Sequence, residues 1–192
     1  MNKTIKKMTL VVMSLIGLST YSGLAQDTKN DNHTVAITIP EVAILDLELS
    51  SSKNIAASFI APTEAGNPIT VPANNTSLWL NYSSIVEPTG ADATRKVSVK
   101  TSATIPGIDI KVTAATDAGA GAGTKGVPVA AGVILTTADQ DLITGVGSCW
   151  TDTGTSKGHQ LTYEFGLTSA ATYSNLASGT TTVTVTYTLS AN

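Results

Sequence analysis

A chain of 192 residues with 42% hydrophobic side chains can bury one sizeable core or two small ones, and no charge run or Pro-rich linker divides it. The formal charge is −3, and removing Lys3, Lys6 and Lys7 with the first 25 residues leaves 8 basic against 14 acidic side chains, a net −6. That balance argues against nucleic acid or an anionic membrane as the main partner, because both demand clustered cations. The lone cysteine, Cys149, excludes an internal disulfide, so stability must come from the core.

The chain opens on basic "MNKTIKK", then the short apolar run "MTLVVMSLIGL", then "STYSGLAQ". This is the layout of a secretory signal peptide, with cleavage expected after Ala25. No cysteine stands at the cut to carry a bacterial lipid anchor, and no later apolar run is long enough to span a bilayer. The expected location is outside the cytoplasm: periplasm, cell surface or extracellular space. Residues 26–32, "QDTKNDN", form a polar leader expected to be disordered.

Next comes "HTVAITIPEVAILDLELS", two apolar ribbons hinged at Pro40. In residues 33–39 the side chains Val35, Ile37 and Ile39 alternate against Thr34, Ala36 and Thr38. Proline has no amide donor and turns the residue before it away from helix, so the first ribbon is separated from the path of the second. It can pair with any open sheet edge that offers pockets at two-residue intervals, or form the first strand of its own sheet.

Period-two alternation then recurs at Ala43/Leu45/Leu47/Leu49, Ile55/Ala57/Phe59 and Leu78/Leu80/Tyr82. It continues at Val97/Val99/Thr101, Ile108/Ile110/Val112, Leu161/Tyr163/Phe165 and Val183/Val185/Tyr187/Leu189. The 31 threonines favour strands, because branched β-carbons sit easily on a pleated sheet. Turn signals such as "EAGNP", "EPTGAD" and "TDTGTSKG" fall between the runs. The expected fold is all-β: one antiparallel Greek-key, immunoglobulin-like β-sandwich over residues 33–192, with 33–39 as an N-terminal extension. Residues 117–126, "DAGAGAGTKG", are expected to form a mobile loop, and the register of "VPVAAGVILTTADQDLITGVG" is ambiguous.

Chemical motifs are sparse. Gly121, Gly123 and Gly126 fit G-x-G-x-x-G, but no helix pattern follows to receive a pyrophosphate. Asp152-Thr153-Gly154 stands between turn-like flanks rather than the apolar strands of an aspartic protease. His33 and His159 are expected in exposed loops, without further ligands at metal spacing. Asp139 and Asp141 lack the remaining ligands of an EF-hand. Ser148 has no nucleophile elbow, and Cys149 beside Trp150 reads as packing rather than as a dyad with His159. No catalytic residue, metal site or cofactor is assigned, and a non-enzymatic role is expected. Trp79, Tyr82 and Trp150 would make a sugar-stacking platform if they shared an exposed face.

"HTVAITIPEVAILDLE" resembles the mature start of major subunits in the colonization-factor branch of chaperone–usher pilins. The closing "YSNLASGTTTVTVTYTLSAN" is similar to the last strand of that family, with Gly179 before a long alternating ribbon. Ala191 stands where the family has a next-to-last Tyr. More loosely the chain resembles exported bacterial sandwiches of the spore-coat-U and WxL kinds. The pilin resemblance implies a fimbrial-type structural or adhesive subunit. Val35, Ile37 and Ile39 would fill the groove of an adjacent subunit, giving a homo-oligomer or an assembly with related subunits. The alternative is a free-standing secreted module that binds glycan or matrix through Trp79, Tyr82 and Trp150.

Overall fold

The computed structural model describes residues 29–49 and 52–192. The expected signal peptide and the start of the leader lie outside the described residues. The chain divides into two units, one ending at Thr38 and one running from Ile39 to Asn192. In the first, residues 29–38 carry no strand and are all exposed.

Among the described residues the second unit is all-β, with nine strands and two short 3₁₀ turns, Ala91–Ala93 and Ala170–Asn175. The strands are β1 (Val42–Glu48), β2 (Asn75–Ile85), β3 (Arg95–Thr101), β4 (Ile108–Ala114) and β5 (Gly123–Pro128). They continue with β6 (Val133–Ile134), β7 (Gln140–Trp150), β8 (His159–Leu167) and β9 (Val185–Ala191). All pairings are antiparallel, in the order β6-β4-β8-β2-β7-β3-β9, with β1 on β2 and β5 on β7. The link between β2 and β7 is short: Ser83 opposite Trp150 and Ser84 opposite Cys149.

Alternation places the core. Leu78, Leu80 and Tyr82 of β2, Val97 and Val99 of β3, Val112 of β4, and Leu161 and Tyr163 of β8 are all buried. Burying a Val, Leu or Ile contributes about 1.5–3 kcal/mol, so these central strands hold the fold.

The strand expected through Ile55, Ala57 and Phe59 does not form; only an isolated bridge, Ile60 to Thr70, appears there. Pro62, Pro68 and Pro72 remove the donors a ladder would need. Ile55 still packs against the core from an irregular segment.

The ambiguous stretch after residue 126 resolves into the end of β5, then β6 and β7. Its ambiguity has a cause in β7, whose ladder with β3 shifts register twice between Gln140 and Val146. Each extra residue flips the alternation, so Leu142 and Ile143 are both fully buried.

The Gly-rich segment is likewise not a free loop. Residues from Gly123 pair with β7, and Gly119 and Gly121 before it lie against the backbone of Thr151 and Trp150, where β7 ends. A Cβ on Gly119 would sit 1.8 Å from the Thr151 carbonyl oxygen, and one on Gly121 would sit 1.9 Å from that of Trp150. The composition reflects close backbone approach rather than a need for mobility. The Lys125 ammonium holds the segment by pairing with Asp117 and donating to the Gly121 carbonyl at 3.1 Å.

Candidate functional site

Two long strands end the pairing pattern. Among the described residues β1 pairs only with β2 and β9 only with β3. Each therefore presents one row of backbone donors and acceptors without a ladder. Their core-side apolar side chains are half-buried rather than buried: Leu45 and Leu47 on β1 with Leu49 after it, and Val185, Tyr187 and Leu189 on β9. All six pack against the core, so the core is incompletely covered along these two edges. The strands come within 8 Å of each other, Cα to Cα, yet share no ladder. Tyr187 is held from below by a 2.7 Å hydroxyl contact with Tyr163.

The other strand ends do not compete. The outer strand β6 is only two residues long, and β5 ends in Pro128 and carries glycines. Short or proline-bearing edges discourage pairing.

The residues expected as donors, Val35, Ile37 and Ile39, are 69%, 81% and 71% exposed. Three large branched side chains at two-residue spacing stand in water without a ladder, which is a costly way to display them.

The three aromatic residues do not share an exposed face. Trp79 and Trp150 lie on one side of β2, at position 79 and opposite Ser83, roughly 14 Å apart by strand rise. Tyr82 points to the other side and is buried. Trp150 alone is strongly exposed, beside exposed Ile44, over a shallow hollow of about 250 Å3 reached by Asp46, Asn81 and Asp152.

His159 also departs from the expected exposed loop: it is 1% exposed at the start of β8. Its Nδ1 lies 2.8 Å from the Ala115 carbonyl, and its Nε2 lies 2.8 Å from the Tyr82 hydroxyl, whose ring stacks on the imidazole. The Tyr82 hydroxyl also donates to the Lys125 carbonyl. Nothing in the sequence signals this cluster, because Tyr82 and His159 are 77 positions apart.

Desolvation dominates and lowers the His159 pKa, against opposing contributions from the Ala115 carbonyl and Asp117. A lowered folded pKa means the unfolded chain takes up the proton first as pH falls below about 6.5. Stability should therefore be lost on acidification from pH 7 toward pH 5. Urea midpoints measured across that range should fall, and His159→Asn should flatten the fall; an unchanged slope would remove His159 as its source.

The remaining polar candidates are occupied structurally. Asp139 pairs with Lys100 at 2.9 Å and Asp141 with Lys96 at 3.1 Å. Asp152 sits at positive φ in a turn, where its carboxylate accepts the Thr153 N–H at 3.0 Å and pairs with Lys157 at 3.2 Å. Ser148 Oγ accepts the Val86 N–H. Burial pushes the Cys149 thiol up to about 11, which keeps it protonated and unreactive at neutral pH. His33 is exposed. Among the described residues no group of three or more His, Cys, Asp or Glu side chains is placed to hold a metal ion.

No family model, no curated protein and no solved structure matches the chain.

Proposed function

We propose that this protein is an extracytoplasmic structural subunit that assembles by strand donation. The ribbon His33–Ile39 of one copy would add to the open edge of β9 in the next. Val35, Ile37 and Ile39 would then complete the core beside Leu45, Leu47, Val185, Tyr187 and Leu189. The nine strands would fold as an immunoglobulin-like sandwich, with β6-β4-β8-β2-β1 as one layer and β5-β7-β3-β9 as the other, short of a final strand beside β9.

One observation carries this proposal: an exposed, period-two apolar ribbon and two unpaired, half-buried apolar edges occur in the same chain. The lengths agree. Seven residues of ribbon span roughly 23 Å at strand rise, and β9 is also seven residues long. The added strand would supply main-chain hydrogen bonds and side-chain burial together, so assembly needs no covalent link and no catalysis. The resemblance to pilins points the same way.

The test separates the two faces of the ribbon. In the chain expressed from residue 26, Ile37→Asp places a carboxylate where a core side chain should go. Size-exclusion chromatography with light scattering should show monomer for this variant at tens of micromolar. Thr38→Asp, on the opposite face, should still multimerise. Equal behaviour of the two variants would reject face-specific insertion and with it strand donation. The rival role, a free-standing glycan- or matrix-binding module, would have to rest on Trp150 and Ile44, since Tyr82 is not available at the surface.

A further inference from the structure

We infer that the ion pair between Glu41 and Arg95 is the anchor from which the donor ribbon works, which makes Glu41 a positioning residue for assembly. This rests on the strand-donation reading above.

Arg95 opens β3 and is bound by ladders on both sides, opposite Val146 of β7 and Ala191 of β9. Its side chain is only 6% exposed, and its Nε has no hydrogen-bond partner. A guanidinium in that position is costly unless a carboxylate compensates it. Glu41 does so: its Oε1 accepts from Arg95 Nη2. Glu41 lies between Pro40 and the first residue of β1, and its own side chain is 53% exposed. The pair is therefore driven by the need of Arg95, while the residue it immobilises is Glu41.

The neighbouring residue repeats the arrangement on the other edge. Thr94 accepts the Asn192 N–H at 3.2 Å through its carbonyl, and its Oγ1 accepts from Asn192 Nδ2 at 3.4 Å. Consecutive residues Thr94 and Arg95 thus fasten the end of β9 and the start of β1 at one end of the open strip. From Val42 onward β1 is held by its ladder to β2. Residues 29–40 carry no strand. Glu41 marks the boundary, and Pro40 next to it has a fixed φ.

A pinned base limits the conformations the ribbon must give up on docking. Releasing Glu41 would add freely rotating backbone between the donor strand and its own body. The inserted strand would then leave its neighbour more easily, although no contact inside the recipient has changed.

The experiment uses multimers of the chain from residue 26. Glu41→Gln keeps the shape and removes the charge. After dilution its multimers should dissociate roughly tenfold faster than wild type, as expected for unpinning about one residue. Glu41→Asp, which retains the carboxylate, should recover most of that loss. A second measurement isolates the recipient: bodies lacking residues 26–39, with and without Glu41→Gln, are titrated with a synthetic peptide of residues 31–40. Residues 29–39 supply neither ladder nor core side chain, so the shortened body keeps the core formed by the described residues. The two bodies should bind the peptide equally. Unchanged dissociation of the Glu41→Gln multimer, or weakened peptide binding that accounts for all of its change, would overturn the anchoring role. Failure of strand donation itself would look different: the wild-type chain would not multimerise, or the wild-type body would not bind the peptide.

Discussion

A chain lacking residues 26–39 is expected to remain monomeric at concentrations where the chain from residue 26 assembles. The deletion removes three side chains that would each contribute about 1.5–3 kcal/mol on insertion, together about 5–9 kcal/mol before any ladder is counted. Every 1.4 kcal/mol is a factor of ten in affinity, so association weakens by more than three decades. An assembly stable at micromolar concentration would vanish from a sizing column. The fold should survive, because among the described residues the nine strands and the core side chains lie between Val42 and Ala191. The shortened body should retain an uncovered strip along β1 and β9, and a synthetic peptide of residues 31–40 should raise its melting temperature. Equal multimerisation of both forms would mean that the ribbon is not the link. If both forms were equally stable monomers, the exposed Trp150 surface would become the place to look for a ligand.

The central strands were legible because their apolar side chains recur at every second position. At Leu78/Leu80/Tyr82, Val97/Val99 and Leu161/Tyr163 every apolar residue of the alternating run is buried, although Asn81 and Ser98 between them are buried as well. Alternation fails where something besides side-chain polarity decides pairing. Around Ile55–Phe59 the pattern is present, but the prolines downstream deny it a partner strand. In β7 the pattern is broken by two register shifts, and consecutive buried residues cannot be read as a strand by period alone. At the site, the alternation and the Pro40 break mark the ribbon and its boundary. The sequence is silent on which strands end the sheet, because that depends on how distant segments order themselves. Arg95 and Glu41, 54 positions apart, carry no local signal either. The same holds for the Tyr82–His159 contact, where an imidazole expected in water lies in the core.

The Gly-rich segment shows the difference between composition and contact most sharply, and it supports the second large effect. Gly121→Ala is expected to destabilise the protein by about 3 kcal/mol or more, in the range reserved for strained or overpacked sites. The added methyl would lie 1.9 Å from the Trp150 carbonyl oxygen and 2.7 Å from its carbon. Both obstacles are backbone, so no rotamer change can relieve the clash. Moving the segment away would stretch the 3.1 Å bond from the Trp150 N–H to the Ala122 carbonyl and pull the Gly121 carbonyl from Lys125. It would also strain the ladder that begins at Gly123 opposite Cys149. For a chain of this size each kcal/mol lowers the melting temperature by roughly 2–4 °C, so a drop of about 6–12 °C should be measured. Gly166→Ala in β8 is the control: nothing stands within 4 Å of its added methyl, and its effect should stay within about 0.5 kcal/mol. A mobile segment would tolerate alanine at residue 121 as readily as β8 does at residue 166. Equal melting temperatures for the two variants would therefore restore the picture of a free loop, and with it remove Lys125 and Asp117 as the clasp that holds the segment to β7.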